Sequence, residues 1–224
     1  MELSDCKNLE KISNPYIVKC ILLGDRGTGK STLANLLSYG YCEPQLSTTI
    51  GIDFLTKTIN LKEYNNHKVK LHIWDTAGHE RFKSITRSYL RDAYIAFLVF
   101  DITDRHSWAN LNEWKKDLDI NNKYNFLPRI VLVGTKSDLK NHVITTDEII
   151  KRAEEWNCES YVISSKRNKP HIVINRMFSI VIENLHKEIV TKCIHGEELP
   201  DDIYKKDNIN LYDNNNNNKC CIIS

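Results

Sequence analysis

The stretch GDRGTGKS at residues 24–31 decides the fold. It follows an apolar, β-branched run at residues 16–24 and opens a segment at residues 30–40 whose leucines recur at helical spacing. In such a strand–loop–helix unit, glycines let backbone N–H groups converge on phosphate oxygens, and the helix N-terminus adds the positive end of its dipole. The pattern G-x-x-x-x-G-K-[ST] therefore predicts a nucleotide phosphate loop, in which Lys30 reaches the β- and γ-phosphates and the Ser31 hydroxyl ligates Mg²⁺.

Further strands are predicted from apolar runs along the chain. Residues 54–61 and 69–75 alternate apolar and polar side chains around the turn KEYNNH, which predicts an antiparallel hairpin. Residues 93–101 and 129–135 are continuous apolar runs, the pattern of strands buried on both faces of a parallel sheet. A last short strand is predicted at residues 160–165.

Helical periodicity separates these strands. Amphipathic helices are predicted at residues 107–120 and 145–157, and a long closing helix at residues 171–192 follows Pro170. Alternating strands and helices predict an α/β fold, namely a phosphate-loop domain with a mostly parallel six-stranded sheet, one antiparallel strand and helices on both faces.

Composition and charge fit a soluble domain with tails. The chain has 224 residues, 41% hydrophobic and 27% charged, and its net charge of +2 gives no argument for nucleic-acid binding. We place the folded domain at residues 15–194, after a short N-terminal extension at residues 1–14. Residues 195–224 are polar and Asn-rich, so we expect a flexible tail that buries no core.

Targeting and redox signals are sparse. The opening residues contain no apolar core and the second residue is Glu2, so we expect neither a signal peptide nor N-myristoylation. The longest apolar run, residues 94–100, is too short to span a bilayer. None of the seven cysteines forms a C-x-x-C pair, which argues against a zinc site or a disulfide framework and favours a reducing, cytosolic location.

Two later loops indicate which base is bound. GTKSD at residues 134–138 and ISSK at residues 163–166 each follow a strand. The Asp138 carboxylate can accept hydrogen bonds from both N1–H and the N2 amino group of guanine, a donor pair that adenine lacks. The sequence therefore favours a guanine nucleotide over the alternative of an ATP-using phosphate-loop enzyme.

With these motifs the sequence resembles the Ras superfamily of small GTPases, and within it the Rab family. The resemblance spans residues 15–190 and is carried by GDRGTGKS, TTIGIDF, WDTAGHERF, GTKSD and ISSK, together with KLHIW, RFKSIT, YLRDA and LVFDIT. TIGIDFLTKT and SYLRD are most similar to the Golgi-associated Rab subgroup. The resemblance implies a GTP-binding switch that hydrolyses GTP to GDP and phosphate, uses Mg²⁺, and regulates vesicle and membrane traffic.

The resemblance also assigns roles to single residues. Thr49 matches the threonine that binds Mg²⁺ and the γ-phosphate, and Asp75 matches the aspartate that holds Mg²⁺ through water. Gly78 matches the glycine whose N–H contacts the γ-phosphate. Lys136 matches the lysine packed along the nucleotide, and Ser165 matches the residue whose N–H meets the guanine O6.

The complete set of expected site residues follows from the motifs and the resemblance. The GTP-binding residues are Gly24, Asp25, Arg26, Gly27, Thr28, Gly29, Lys30, Ser31, Thr32, Thr49, Gly78, Thr135, Lys136, Asp138, Ser164, Ser165 and Lys166. The catalytic residues are Lys30, Thr49, Gly78 and His79. The metal ligands are Ser31, Thr49 and Asp75. The effector-binding residues are Ile50, Phe54, Trp74 and Tyr89.

Two departures from the family pattern concern the base. Thr135 stands where the family usually has Asn, and the lost amide contact weakens binding by about 1 kcal/mol in our expectation. Cys42 stands where an aromatic residue normally lies against the guanine, and the adjacent Tyr41 is a candidate substitute.

Two other departures concern hydrolysis. His79 stands where the family usually has the Gln that orients the attacking water. Arg26 occupies a position beside the γ-phosphate where most of the family has a small residue. It either obstructs the water and an incoming arginine finger or acts as a built-in cation, and we favour obstruction. We therefore expect slow intrinsic hydrolysis; the alternative function is an effector scaffold that holds GTP with little hydrolysis.

The last six residues, KCCIIS, predict a lipid anchor. Cys221 fits a C-a-a-X ending, and Cys220 with Cys221 fits the double-cysteine endings of Rabs. Two geranylgeranyl groups are preferred, with farnesyl on Cys221 plus a second lipid on Cys220 as the alternative, because stable anchoring takes two lipid signals.

The resemblance implies partners and a location as well. We expect effectors that bind the GTP state, an exchange factor, an activating protein and a prenyl-binding escort that acts as a dissociation inhibitor. We expect a monomeric domain with no nucleic-acid partner. The expected location is the cytoplasmic face of a Golgi or endosomal membrane, with an escorted cytosolic pool.

Overall fold

The computed structural model describes residues 15–42, 49, 51–64, 66–78, 89–122 and 128–195. Six strands form one sheet within this part of the chain: β1 (Tyr16–Leu23), β2 (Ile52–Leu61), β3 (His67–Thr76), β4 (Ile95–Asp101), β5 (Arg129–Thr135) and β6 (Glu159–Val162). The helices among the same residues are α1 (Lys30–Tyr39), α2 (Arg105–Ala109), α3 (Leu111–Asn121), α4 (Thr146–Glu155) and α5 (Pro170–Ile194). The predicted extension (1–14) and nearly all of the predicted tail (195–224) lie outside the described residues.

The sheet confirms the predicted fold class. Its strand order is β2-β3-β1-β4-β5-β6. β2 and β3 pair antiparallel as a hairpin, and every other neighbouring pair is parallel. Because β3, β1, β4, β5 and β6 run parallel, the carboxyl ends of five strands meet at one edge, which is where ligands bind in open α/β sheets.

Helices cover both faces of this sheet. Alternate residues of β1 enter different cores: Cys20 and Leu22 pack with α1 and α5, while Ile21 and Leu23 pack with α2, α3 and α4. This alternation explains why the central strands read as continuous apolar runs. The ring of Phe178 on α5 lies 4.4 Å from that of Phe97 on β4, and its full burial contributes about 2–3 kcal/mol.

The predicted helix at residues 107–120 is split in the structure. Asp104 caps α2 by accepting a hydrogen bond from the His106 backbone N–H, so helical structure begins earlier than predicted. Asn110 separates α2 from α3, and its side-chain amide leaves the helix surface to reach the phosphate loop. The local helical pattern does not encode this contact, because Asp25 lies 85 residues from Asn110 in the sequence.

The closing helix α5 runs the full height of the sheet. Ile174, near its start, borders the cavity at the carboxyl edge of the strands. His186, about two turns before the end of α5, packs on Tyr16 at the start of β1 and on Tyr64 in the β2–β3 turn. Within the described residues, none of the helices combines the length and the apolar character needed to cross a membrane.

Candidate nucleotide-binding site

The phosphate loop has the backbone geometry that its glycines permit. Gly24 has φ 143°, and a Cβ built there would lie 2.0 Å from the backbone oxygen of Val99, so only glycine fits. Gly29, which precedes α1, has φ 96°. The loop therefore curls from the end of β1 into the first turn of α1 and leaves that helix N-terminus facing its interior.

Lys30 lies inside this curl. Its Nζ donates to the backbone oxygens of Gly24 at 2.9 Å and Asp25 at 2.8 Å, and the side chain is buried. Burial lowers the pKa of Lys30 to about 8, while the carboxylates of Asp75 and Asp25 act in the opposite direction. A buried ammonium group held in the middle of a loop is a ready binding group for phosphate oxygens.

The three predicted metal ligands meet beside the loop. The Ser31 and Thr49 hydroxyl oxygens are 2.8 Å apart, and Thr49 Oγ1 lies 3.5 Å from Asp75 Oδ2. Asp75 is 2% exposed, and its Oδ1 has no hydrogen-bond partner among the described residues. Burial raises the pKa of this carboxyl, although the Ser31 hydrogen bond and the Lys30 charge oppose the shift. A buried carboxylate oxygen without a partner beside two hydroxyls is an oxygen-only donor set that fits Mg²⁺.

Gly78 packs against the same loop from the end of β3. A Cβ built at Gly78 would lie 2.4 Å from the carbonyl carbon of Asp25 and 2.5 Å from the Arg26 nitrogen. The predicted γ-phosphate contact of Gly78 therefore has the necessary proximity to the loop. The next predicted residue, His79, lies outside the described residues.

A cavity of about 380 Å³ adjoins the loop and receives the base-binding motifs. Leu33, Leu36, Leu139 and Ile174 contribute to an apolar wall suited to a planar ring. The predicted residues that line it are Gly27, Gly29, Thr32, Thr135, Lys136, Asp138, Ser165 and Lys166.

Asp138 is held by its neighbours in the second base loop. The Ser164 hydroxyl donates to Asp138 Oδ1 at 2.5 Å, and the Lys166 backbone N–H donates to the Ser164 hydroxyl oxygen at 3.1 Å. The Ser164 hydrogen bond lowers the pKa of Asp138 below its usual value. The carboxylate is thus kept ionised, as an acceptor for two base N–H groups must be.

The aromatic side chains predicted for effectors are contiguous: Phe54 lies on β2, Trp74 on β3, and Tyr89 in the segment that precedes β4. The rings of Phe54 and Trp74 lie 5.0 Å apart, and those of Trp74 and Tyr89 also lie 5.0 Å apart. Phe54 is 43% exposed, and the ammonium group of Lys19 lies 5.5 Å from the Trp74 ring centre. The remaining predicted effector residue, Ile50, lies outside the described residues.

Known proteins match this chain over nearly the whole domain. The sequence profile of the Ras family matches residues 19–187. The chain is 37% identical over 180 residues to the Ras-related protein SEC4 of Saccharomyces cerevisiae, covering 80% of each chain. It is 32% identical over 210 residues to the Ras-related protein Rab-9A of Rattus norvegicus, covering 92% of this chain and 97% of that one. This chain is a Rab-type small GTPase of the Ras family.

Membership establishes the general activity of this Rab GTPase. It binds guanine nucleotide, hydrolyses GTP to GDP and phosphate, and regulates vesicle traffic at intracellular membranes through regulators and effectors. A further relative, the GTP-binding protein ypt4 of Schizosaccharomyces pombe, is 35% identical over 198 residues, covering 87% of this chain and 80% of that one.

Tyr41, the candidate substitute for the stacking aromatic, does not line the base cavity of this Rab, and neither does the adjacent Cys42. Tyr41 is 64% exposed, with its ring 6.1 Å from that of Tyr39. Cys42 packs against the core formed by α1 and α5. Among the described residues that line the cavity, none is aromatic, so its apolar wall is aliphatic.

Sequence reasoning missed two interactions that shape the site. Asp101, at the end of β4, has Oδ2 2.6 Å from Lys136 Nζ. Asp25 accepts hydrogen bonds from Trp114 Nε1 at 2.9 Å and Asn110 Nδ2 at 2.7 Å. Asp101 lies in the motif LVFDIT, so the sequence could have indicated it as a site residue. The sequence does not indicate the pairing of Asp25 with Trp114, because 89 residues separate them.

Proposed function

We propose that this Rab GTPase switches membrane traffic through the residues gathered at the phosphate loop. In the GTP state Thr49 and Gly78 are held at the γ-phosphate, and in the GDP state both are released. The observation that supports this most is the meeting of Lys30, Ser31, Thr49, Asp75 and Gly78 around one loop.

Each group has a role in hydrolysis. Lys30 neutralises negative charge on the β- and γ-phosphates, and the Gly78 N–H donates to a γ-phosphate oxygen. Ser31, Thr49 and Asp75 would hold Mg²⁺, which stabilises charge on the phosphate oxygens. Asp138, oriented by Ser164, selects guanine, and Lys136 packs along the nucleotide.

We further propose that Arg26 and His79 make intrinsic hydrolysis slow. Arg26 is exposed, and its backbone nitrogen would lie 2.5 Å from a Cβ built at Gly78. A long side chain at this position occupies the space that the attacking water needs. Because its backbone belongs to the phosphate loop itself, it is too close to the phosphates to bridge them as an arginine finger does. His79 stands where the family pattern has a Gln, so we expect the attacking water to be oriented less well.

Single-turnover hydrolysis of GTP tests this proposal. We expect Arg26→Ser and His79→Gln each to accelerate hydrolysis by about tenfold, since the loss of a water-orienting group costs at least that much. Arg91→Ser and His142→Gln change exposed residues outside the site and serve as matched controls. If neither Arg26→Ser nor His79→Gln hydrolyses GTP faster than wild type, the obstruction proposal is wrong.

The second candidate function is an effector scaffold that holds GTP with hardly any turnover, and Arg26 is the observation that favours it. In a scaffold, the rate of GTP hydrolysis would stay negligible even when an activating protein is added, whereas in a switch the activating protein accelerates hydrolysis. The other alternative from the sequence, an ATP-using enzyme, is set aside because the chain belongs to a family of GTPases.

Membrane attachment is proposed to use Cys220 and Cys221, which lie outside the described residues. Mass spectrometry of the C-terminal peptide from native membranes would identify the attached lipids. We expect Cys220→Ser with Cys221→Ser to shift the protein to the soluble fraction, and Cys42→Ser to leave it on membranes. Imaging of the tagged protein tests the proposed Golgi link, which an exclusively endosomal signal would overturn.

A further inference from the structure

We infer that Trp114 and Asn110 are positioning residues of the phosphate loop: through Asp25 they fix the peptide that joins Asp25 to Arg26, and so slow the release of nucleotide. The inference rests on the proposed roles of the loop residues. The inference adds to those roles a hydrogen-bonded connection from helix α3 to the phosphate loop.

The link begins with the Asp25 carboxylate, whose two oxygens accept hydrogen bonds from Asn110, directly before α3, and from Trp114, in the first turn of α3. Asp25 Oδ1 accepts from Trp114 Nε1 at 2.9 Å, and Oδ2 accepts from Asn110 Nδ2 at 2.7 Å. Hydrogen bonds to charged groups are the stronger kind, about 1.5–3 kcal/mol each. The loop is therefore fastened to α3 at the residue that directly precedes Arg26.

Both donors are themselves held in place. Trp114 is 2% exposed within the core beneath α3, so packing orients its indole N–H. Asn110 Nδ2 also lies 2.9 Å from His106 Nε2, which accepts its second hydrogen when that ring nitrogen is unprotonated. A donor oriented in advance loses little conformational entropy on forming its bond.

The backbone of Asp25 carries this restraint into the nucleotide site. Its oxygen accepts from Lys30 Nζ at 2.8 Å and from the Thr28 hydroxyl at 3.0 Å. Its carbonyl carbon is the atom nearest to a Cβ built at Gly78, at 2.4 Å. A shift of Asp25 therefore moves an acceptor of Lys30 and the surface on which Gly78 packs. Because Trp114 and Asn110 hold the side chain of this same residue, loss of either donor should change the positions of the groups that contact the phosphates.

Removing only the indole N–H tests the inference. Trp114→Phe keeps most of the buried ring but loses the donor, and we expect fluorescent GDP to dissociate about tenfold faster, the equivalent of one lost charged hydrogen bond. Trp108→Phe is the matched control, because Trp108 is also buried, in the same core, and stacks on Arg152 rather than contacting Asp25. Thermal unfolding of both variants measures the purely structural cost. Equal acceleration in the two variants, in proportion to lost stability, would overturn the inference.

An exchange of donor and acceptor provides a second, independent test. Asp25→Asn places an amide against the Asn110 amide, and Asn110→Asp places two carboxylates together, so each single variant should release GDP about tenfold faster. In the double variant the new amide donates to the new carboxylate, while its oxygen still accepts from Trp114. We expect release to return to within about threefold of wild type.

The outcomes separate this inference from the function on which it rests. The effects of the two single substitutions on GDP release could simply add in the double variant while wild-type protein binds GDP normally. That result would overturn the positioning role alone. Wild-type protein that retains no guanine nucleotide would overturn the proposed roles of the loop and the inference together.

Discussion

The hydroxyl of Thr135 lies 2.6 Å from the backbone oxygen of Thr28 and 3.0 Å from that of Phe100. The residue thereby fastens the phosphate loop to the end of β4, at the position where the family resemblance predicts Asn. A hydroxyl carries a single hydrogen, and here it is directed to backbone oxygens. Thr135 thus keeps the loop in place without a donor left for the base.

Thr135→Val removes this hydrogen bond with little change in side-chain volume. We expect the free energy of unfolding to fall by about 1–2 kcal/mol, because buried carbonyl oxygens lose a partner, and GDP to dissociate several-fold faster. Chemical denaturation and release of fluorescent GDP measure the two effects. Thr58→Val, on the exposed side of β2, is the control and should change neither; identical behaviour of the two variants would contradict the prediction.

Asp101→Asn should weaken nucleotide binding. Burial alone would raise the pKa of Asp101, but hydrogen bonds from Lys136 and Thr103 lower it below the usual value, so the group is an anion that holds Lys136. Loss of that charge frees the Lys136 side chain, and we expect GDP affinity to fall about fivefold. Asp119→Asn breaks the partly exposed pair of Asp119 with Lys115, which lies outside the nucleotide site, and should leave affinity unchanged. Calorimetric titration of nucleotide-free protein with GDP measures both; an unaltered affinity in Asp101→Asn would refute the role.

Gly78→Ala should act selectively on the triphosphate state. The added methyl group would overlap the backbone of Asp25, so Gly78 must move away from the loop. A γ-phosphate contact made by its N–H is then lost, whereas GDP has no such contact to lose. We expect affinity for a non-hydrolysable GTP analogue to fall about tenfold relative to GDP, which is the internal control. Equal losses for both nucleotides would show that Gly78 does not contact the γ-phosphate.

His186 should make stability depend on pH. It is 3% exposed, faces Tyr16, Tyr64 and His67, and lies 2.9 Å from the Tyr16 hydroxyl oxygen. Burial, with a smaller effect of His67, lowers the pKa of His186 to about 4. In the unfolded chain the value is about 6.5, so the unfolded state takes up a proton first as the pH falls. The stabilisation from neutral His186 is complete above about pH 6.5 and is lost towards pH 4.

His186→Phe should flatten this dependence. The ring volume is kept but the titration is removed, so the drop in unfolding free energy between pH 7 and pH 4.5 should shrink by about 2 kcal/mol. Denaturation curves at both pH values measure it. His142→Gln changes an exposed histidine and should retain the wild-type slope. A slope in His186→Phe as steep as in wild type would assign the effect to other groups.

The fold could be predicted from the sequence because its signals are local. The apolar runs of β4 and β5 are continuous since both faces are buried, and the β2–β3 hairpin shows its period of two around a polar turn. Strand β6 was predicted too long, since after Val162 the chain leaves the sheet to form the loop that holds Ser164.

The site could be predicted only in part, because some of its contacts join residues that are distant in the sequence. Lys30, Ser31 and Asp138 lie in motifs whose spacing encodes their chemistry. Nothing in a motif indicates which side chains hold these residues from a distance. Asn110 and Asp25 are 85 residues apart, and their hydrogen bond depends on how α3 packs beneath the loop.

Helix α5 joins opposite ends of the molecule. With 25 residues it is about 37 Å long, and it begins at the base cavity and ends beyond the start of β1. The described chain therefore ends on the side of the sheet opposite the base cavity. If the proposed lipid anchor at Cys220 and Cys221 follows, the base cavity would face away from the membrane, and an exchange factor would reach it without meeting lipid.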